Sequence, residues 1–425
     1  MISTARHIAI VGPPTSGHVN PLVALGGSLA TMGYRVTLVH MGDLAPFVPH
    51  GPVAFAALGS GADRPGLLAD YVRHLAQPTG PVGLPRMIRA TAAITRLLLE
   101  TLPATLSRLG VDAVIADSVE PAGALVARHL GLPFVTTVTG LPLHREPMVP
   151  PPFVGWGFRA DAIGRNRNQG GYLVSDLLMR PIARTVSAYA RRWGLDPDPR
   201  QLWSDRLQIA QCPAGLDFPR TMLPPSFRYG SPWRAGDDGD DGTGLVAVDD
   251  RPRIFCSLGS LQGARRNLFA AMTAACAAVG ARAVVAHGGG LTDREADALP
   301  GDPLVQAFWP QTKVLPHCAA AILHGGFNTV LDALAAGVPI VAVPLAFEQP
   351  AIAARLARIG AGEVVPAGRA LRGGLEAALR RVLTRPGYRR SAGLLATEMA
   401  GHGGVSEAAA MVRVALGDGV AATVG

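Results

Sequence analysis

Short apolar runs alternate with helical segments along most of the chain, and this alternation restricts the fold more than any other feature. The run His7–Val11 is followed by a loop, a helical segment and a second run at residues 34–40. Continuous apolar runs are typical of parallel strands that helices cover on both faces. The pattern therefore predicts an α/β fold built from doubly wound parallel sheets.

The alternation occurs twice. A second series starts at residues 254–257 and continues through runs at 283–286, 304–308, 319–323 and 339–344. The 425 residues are enough for two such domains. We predict an N-terminal domain over 1–218, a proline-rich linker over 219–252, a C-terminal domain over 253–400 and a helix in 401–425 that packs back on the N-terminal domain. The acidic, glycine-interrupted run at 237–242 predicts a solvated loop, and ligands are expected in the cleft at the carboxyl ends of the two sheets.

Composition excludes several classes of protein. With 48% hydrophobic residues the chain is too apolar for intrinsic disorder. Its longest apolar stretch, residues 333–347, is interrupted by Gly337, Pro339 and Pro344, so it is too short for a membrane span. The apolar run after Arg6 is too short for a secretory signal. We therefore expect a cytoplasmic protein.

The net charge of +8 comes from arginine, since Lys313 is the one lysine among 39 basic residues. The sequence carries none of the motifs typical of nucleic-acid binding, so we expect no nucleic-acid partner. Contact with acidic phospholipid at a membrane surface is left open by this charge. Four widely spaced cysteines (Cys212, Cys256, Cys276 and Cys318) exclude a disulfide scaffold, favour buried thiols and offer no metal-ligand spacing.

The first loop of interest contains Gly12, Gly17 and His18, before a helix that we expect Asn20 to cap. It lacks the Gly-Lys-Ser/Thr end of a phosphate-binding P-loop and the spacing of a dinucleotide fingerprint. The imidazole of His18 at a strand's carboxyl end can act as a general base, and Asp117 ends a parallel strand at the same sheet edge. From the pattern alone, a capping histidine and an aspartate that merely ends a strand explain these residues equally well.

The second loop is richer in hydrogen-bond donors. It runs from His324 through Gly325 and Gly326 to Asn328 and Thr329, at the start of a helix. Two glycines let a ligand approach the backbone, and the free amides of a helix N-terminus favour an anion such as a diphosphate. From these residues alone, an ordinary glycine turn followed by a helix cap explains the loop as well as an anion-binding site does.

An ordered series of motifs resembles the nucleotide-sugar signature of the UDP-dependent family 1 glycosyltransferases. The series comprises Phe308, Trp309 and Gln311, the His324–Thr329 loop, Asp332, Gly337 to Pro339 and the segment 344–349. The segment Gly17 to Pro21 resembles the acceptor-side loop of the same family. Residues 116–123, 141–147 and 345–350 resemble its zeaxanthin glucosyltransferase branch.

The resemblance implies a GT-B architecture, in which two Rossmann-like domains face each other across a cleft, and an inverting transfer that needs no metal or other cofactor. His18 would take the proton of an acceptor hydroxyl while Asp117 holds its ring. The residues expected to bind the nucleotide sugar are Ser260, Phe308, Trp309, Gln311, His324, Gly326, Asn328, Thr329, Asp332, Glu348 and Gln349. Phe308 stands where the family usually has the tryptophan that stacks on uracil, so either Phe308 or Trp309 would contact the base.

The implied reaction is transfer of a hexose, glucose first, from a UDP-sugar to a hydroxyl of a hydrophobic small molecule. A hydroxylated carotenoid is the first acceptor considered, and a polyketide or other secondary metabolite the second. Three alternatives stay open at this point: a nicotinamide-dependent oxidoreductase, a sugar-nucleotide epimerase and a non-catalytic nucleotide-sugar-binding protein. Residues 86–108 predict a pair of helices, either packed in the core or forming a membrane-facing lip.

Overall fold

A computed structural model describes residues 6–59, 65–76, 80–236 and 250–417. The acidic run predicted as a solvated loop lies outside these residues, as do part of the predicted linker and the last residues of the chain. Within the described ranges, two separate parallel sheets account for all the strands.

The first sheet has the strand order β3-β2-β1-β4-β5-β6-β7. Its strands are β1 His7–Val11, β2 Arg35–His40, β3 Ala54–Ala57, β4 Ala113–Asp117, β5 Phe134–Val138, β6 Gln208–Ala210 and β7 Phe227–Arg228. The central strands β1 and β4 are buried along their whole length, because helices cover both faces of the sheet. Since β1, β4, β5 and β6 are neighbours, their carboxyl ends meet at one edge.

The second sheet has the order β10-β9-β8-β11-β12-β13. Its strands are β8 Arg253–Ser257, β9 Arg282–Ala286, β10 Leu304–Gln306, β11 Ala320–Leu323, β12 Ile340–Ala342 and β13 Gly362–Val364. Each strand pair is parallel, and every predicted run of the second series is found as a strand with slightly different bounds. The predicted α/β class with two doubly wound sheets is therefore confirmed.

The helices of the first half are α1 Ser16–Thr31, α2 Leu67–Ala76, α3 Gly80–Leu109, α4 Pro121–His129 and α5 Ala162–Arg192. Those of the second half are α6 Arg266–Ala278, α7 Asp293–Asp297, α8 Gln311–Val314, α9 Phe327–Ala335, α10 Gln349–Ile359, α11 Ala367–Arg369, α12 Leu375–Thr384, α13 Pro386–Ala400 and α14 Gly404–Ala415. None of the helices in the described ranges is both long and apolar enough to cross a membrane.

Two predictions about helices are wrong. Helix α1 begins at Ser16 with Thr15 as its N-cap, so Asn20 does not cap it and Pro21 lies inside it. The predicted helix pair at 86–108 is one helix, α3, which continues through Pro85 and Pro103. Its residues Leu98, Leu99 and Leu102 are buried in the core of the first sheet, which explains the apolar stripe without a membrane-facing lip.

Helix α14 packs against α1 and joins the core of the first sheet. Ala408, Ala409 and Val412 belong to the same buried cluster as the β1 strand. The guanidinium of Arg6 donates a hydrogen bond to the carbonyl of Leu416 at 2.6 Å. The exact domain boundaries stay predictions of the sequence. All four cysteines are buried free thiols, as expected.

Candidate active site

His18 and Asp117 lie together at the carboxyl edge of the first sheet. His18 is in the first turn of α1 and Asp117 is the last residue of β4. Nδ1 of His18 is 3.5 Å from Oδ1 of Asp117, whose side chain is completely buried, whereas that of His18 is 22% exposed. The backbone amide of Val119 donates to Oδ1 of Asp117 at 2.9 Å, which fixes the carboxylate.

Thr139, just beyond β5, stands between the two residues. Its hydroxyl donates to Oδ2 of Asp117 at 2.6 Å and lies 2.7 Å from Nδ1 of His18. Because the hydroxyl hydrogen points to the carboxylate, its oxygen accepts from His18, so Nδ1 carries the proton. The other ring nitrogen, Nε2, is therefore left as the basic atom, as a general base requires.

The electrostatics of the site favour a basic imidazole. Burial lowers the pKa of His18, but the negative charges of Asp117 and of Glu348 outweigh it, so the pKa lies above its usual value of 6.5. Glu348 precedes α10, on the second sheet's side. His18 is therefore influenced by acidic groups from both halves of the chain.

The loop after β11 forms the N-terminus of α9, with Gly326 as its N-cap. The ring of His324 lies in this loop between Gly259 and Gly326. A Cβ on Gly326 would stand 2.5 Å from the ring, and one on Gly259 would stand 2.8 Å from it. Burial lowers the pKa of His324 to about 4, so its imidazole is neutral. Thr329 is also buried, in the first turn of α9.

Two contacts join this donor side to the start of α1. Nδ2 of Asn328 donates to the carbonyl of Gly17 at 2.8 Å. The hydroxyls of Ser260 and Ser16 are 3.1 Å apart. The structure thus brings Asn328 and Ser260, both expected to bind the nucleotide sugar, into contact with the two residues that directly precede His18.

Asp332 is paired with a residue that the sequence did not single out. Nε of Arg234 donates to Oδ1 of Asp332 at 2.7 Å. Burial raises the pKa of Asp332, and the guanidinium offsets part of this rise. A carboxylate expected to bind the nucleotide sugar therefore has one oxygen held by an arginine.

The two aromatic residues after β10 differ in exposure. Phe308 is 70% exposed, whereas Trp309 is half-buried and packs against a buried hydrophobic cluster that includes Val284 and Ala286 of β9. The indole N–H of Trp309 donates to the carbonyl of Val285 at 3.0 Å. Gln311 is half-buried at the start of α8. Phe308 is therefore the ring with a free face.

Helix α10 begins at Gln349, and Glu348 is its N-cap. Oε1 of Gln349 accepts from the amides of Leu345 and Ala346, each at 2.9 Å. These bonds hold the loop in which Phe347 adopts a left-handed φ of +55°, a conformation that is strained for a residue with a side chain. Gln349 thus shapes the loop that presents Glu348, which is half-buried.

Among the described residues, no group of three or more His, Cys, Asp and Glu side chains is placed to hold a metal ion.

Comparison with known proteins assigns the chain to a family. Residues 271–414 match the model of the erythromycin biosynthesis protein CIII-like C-terminal domain. A zeaxanthin glucosyltransferase of Pseudescherichia vulneris is 41% identical over 84% of this chain and 86% of its own. One of Pantoea ananas is 36% identical over 84% of each chain. The chain belongs to the family 1 glycosyltransferases.

The fold of this glycosyltransferase agrees with its family. The glycosyltransferase SnogD from Streptomyces nogalater superimposes with a TM-score of 0.71 over 97% of this chain and 100% of its own, at 23% identity. The predicted GT-B architecture and glycosyltransferase activity are confirmed. The oxidoreductase, the epimerase and the non-catalytic binding protein are not favoured.

Glu120 and Arg145 lie in the segments that resemble the zeaxanthin glucosyltransferase branch, and both have structural partners in this glycosyltransferase. Arg145 forms a bidentate ion pair with Asp176 of α5. Glu120 caps α4 by accepting from the amide of Ala122, and it also accepts from Thr95. Burial raises the pKa of Glu120 to about 7, with a smaller contribution from Asp117.

Sequence reasoning missed Thr139, Gln211 and Arg234. Thr139 and Gln211 directly follow β5 and β6, the next strands beyond β4 in the sheet. In a doubly wound sheet, polar residues after neighbouring strands share one edge with the residue after the central strand. That rule would have singled out Thr139 and Gln211. Arg234 has no comparable signal, because it lies in an irregular segment.

Proposed function

We propose that this glycosyltransferase transfers glucose from UDP-glucose to a hydroxyl of a hydrophobic small molecule, with a hydroxylated carotenoid such as zeaxanthin as the first acceptor. The names of the two relatives above supply the sugar and the acceptor. The observation that carries the mechanism is the orientation of His18, whose Nδ1 is hydrogen-bonded to Thr139 and whose Nε2 is left basic. A polyketide or another secondary metabolite is the second acceptor class.

In the proposed reaction, Nε2 of His18 removes the proton of the acceptor hydroxyl. The oxygen attacks the anomeric carbon as the bond from that carbon to the UDP oxygen breaks on the opposite face, so the anomeric configuration inverts. Asp117 stabilises the imidazolium through Thr139 and through its own charge. The amides at the N-terminus of α9, with the neutral His324 and Thr329, stabilise the charge that builds on the departing diphosphate. In this proposal no metal ion is required.

For the donor, we assign base stacking to Phe308 and sugar hydroxyls to Glu348. The exposed ring of Phe308 supports this choice over Trp309, whose indole N–H is bonded to Val285. Phe308→Ala should weaken UDP binding by about tenfold, since stacking on an aromatic ring contributes about 1–3 kcal/mol per base. Trp309→Phe is the matched variant and should change UDP affinity little. Equal losses in both variants would contradict the assignment.

A peripheral contact with a membrane is the remaining part of the proposal, and its surface is α5 rather than α3. Leu173 and Leu177 are more than 60% exposed. Arg180 and Arg184 are also exposed and lie on the same helical stripe. An apolar patch beside arginines suits an anionic bilayer. Binding to phosphatidylglycerol vesicles but not to phosphatidylcholine vesicles, lost in the double variant Leu173→Ser and Leu177→Ser, would support it.

Product mass after incubation with UDP-glucose and zeaxanthin in mild detergent tests the proposed function, with UDP release followed in parallel. We expect products heavier by one and two hexoses. The hydrocarbon analogue without hydroxyl groups is the control and should remain unchanged. UDP binding without a product would reject the glucose or the carotenoid, and absence of UDP binding would reject the donor assignment.

A further inference from the structure

A closed ring of hydrogen bonds connects His18 to the donor side of the cleft. Nδ1 of His18 is bonded to the hydroxyl of Thr139 at 2.7 Å. Nε2 of Gln211 donates to the carbonyl of Thr139 at 2.6 Å and to Oδ1 of Asn328 at 2.9 Å. Nδ2 of Asn328 donates to the carbonyl of Gly17 at 2.8 Å, and the peptide bond from Gly17 to His18 closes the ring.

The direction of each bond in the ring is determined by groups that can act in only one way. Arg234 can only donate, and it donates to Oε1 of Gln211 at 3.2 Å. The amide nitrogen of Gln211 must therefore face Thr139, whose carbonyl can only accept. Asn328 is oriented in the same manner, since its nitrogen faces the carbonyl of Gly17. The two amides thus have one consistent orientation each.

Pro21 explains why the carbonyl of Gly17 is available. In a helix that begins at Ser16, the amide of residue 21 would normally donate to the carbonyl four residues earlier, which is that of Gly17. Proline has no amide hydrogen, so this carbonyl lacks its partner within the helix. Asn328 supplies the missing donor from the other sheet. The proline inside α1 therefore leaves the carbonyl of Gly17 to accept the hydrogen bond from Asn328.

We propose that Gln211 is a positioning residue for the transfer reaction, which couples docking of the donor helix α9 to the placement of the base His18. Its side chain is completely buried. Its amide nitrogen bonds to Thr139 on one side and to Asn328 on the other, so it acts through these two residues. Docking of α9 completes the ring of hydrogen bonds. It thereby fixes Nδ1 of the His18 imidazole and the backbone beside His18. This inference rests on the proposed function, in which His18 is the base.

The test uses Gln211→Met in the full chain, which keeps the side-chain length but removes both donors. Gln208→Met is the matched control, because Gln208 is a buried glutamine on β6 whose side chain bonds to His144, Ser204 and Ser226, which all lie on the side of the first sheet. Asn328→Ala is a second variant, which opens the ring at a partly exposed position if Gln211→Met folds poorly.

Two measurements follow. Kinetics should show kcat reduced about 10²-fold in Gln211→Met, as expected for a reacting group displaced by about 1 Å, with UDP affinity changed less than about threefold. Long-range ¹H–¹⁵N NMR of the His18 ring should show loss of the single Nδ1–H tautomer and a lower pKa in Gln211→Met and in Asn328→Ala. The acidic groups that act on His18, Asp117 and Glu348, are retained in both variants. Gln208→Met should change neither measurement.

An unchanged His18 tautomer and pKa in both ring variants would overturn the proposal, as would a loss of kcat no larger than in Gln208→Met. In Gln211→Met, a fall in UDP affinity as large as the fall in kcat would also overturn it, because Gln211 would then act in nucleotide binding. The NMR measurement needs no acceptor. It therefore separates failure of this inference from failure of the proposed acceptor or sugar.

Discussion

Replacement of Asp117 by asparagine is the most informative single change at the active site. The Asp117→Asn side chain would retain the size of the original, and its oxygen could still accept from the amide of Val119. It would lack the negative charge that faces Nδ1 of His18 at 3.5 Å. It would also lose the second oxygen, which accepts from the hydroxyl of Thr139. The variant therefore keeps the packing and removes the charge together with this one hydrogen bond.

The separation of the two atoms sets the size of the expected effect. At an effective dielectric constant of about 20, two unit charges 3.5 Å apart attract by about 4.7 kcal/mol. This attraction exists only when His18 is protonated, as it is during the transfer step. Since each 1.4 kcal/mol corresponds to about a tenfold change in rate, the loss in kcat should be about 10³-fold. UDP affinity should change little, because Asp117 lies outside the donor loops.

Rates of UDP release over a range of pH, together with calorimetry of UDP binding, measure both quantities. The rising limb of kcat/KM against pH should move to lower pH in the variant, because burial then lowers the pKa of His18 with only Glu348 opposing it. Asp112→Asn is the control, since Asp112 lies just before β4 at its other end and accepts from the amide of His7. A variant with kcat close to that of the original and an unmoved limb would refute the reasoning.

Three further changes test other parts of the site. Thr139→Val should lower kcat by about 10²-fold with UDP affinity retained, because it removes the hydroxyl between His18 and Asp117. Steady-state rates close to the original would contradict this prediction. His324→Ala should weaken UDP binding about tenfold in calorimetry. The loss should be equal at about pH 6 and about pH 8, because the imidazole is neutral at both. The control His317→Ala should not change UDP binding. Glu120→Gln should raise the free energy of unfolding at about pH 8 by up to about 3 kcal/mol. The folded pKa of about 7 exceeds the ordinary 4.5, so stability falls as pH rises through this window; urea unfolding that shows the same gain at about pH 4 would contradict it.

The sheets could be predicted because their strands are continuous apolar runs, and burial on both faces leaves few other uses for such runs. The start of α1 was missed because Pro13, Pro14 and Gly17 suggest a loop, whereas the helix tolerates Gly17 and Pro21. Tertiary contacts outweigh these local preferences, since α14 and Asn328 both hold this helix. The predicted pair of helices in place of α3 was wrong for the same reason.

At the site, His18 and Asp117 could be predicted because strand ends bring them to one edge. Thr139 could not be placed between them, because its role depends on a side-chain orientation that strand order does not define. The partner of Asp332 could not be predicted either, since Arg234 lies 98 positions away in the sequence and belongs to no recognisable motif. The roles assigned to the nucleotide-sugar residues by family resemblance stay predictions until binding is measured.

The packing of α14 on α1 has a consequence for synthesis of the chain on the ribosome. Residues from this helix fill part of the core that β1 begins, although nearly the whole chain separates the two in translation. The core of the first sheet therefore cannot be completed, and one apolar surface of α1 stays uncovered, until α14 has emerged. We expect a nascent chain that ends before Gly404 to bind chaperones and to be sensitive to proteases at α1. The side of the cleft that carries His18 and Asp117 is thus completed only after the second sheet has been synthesised.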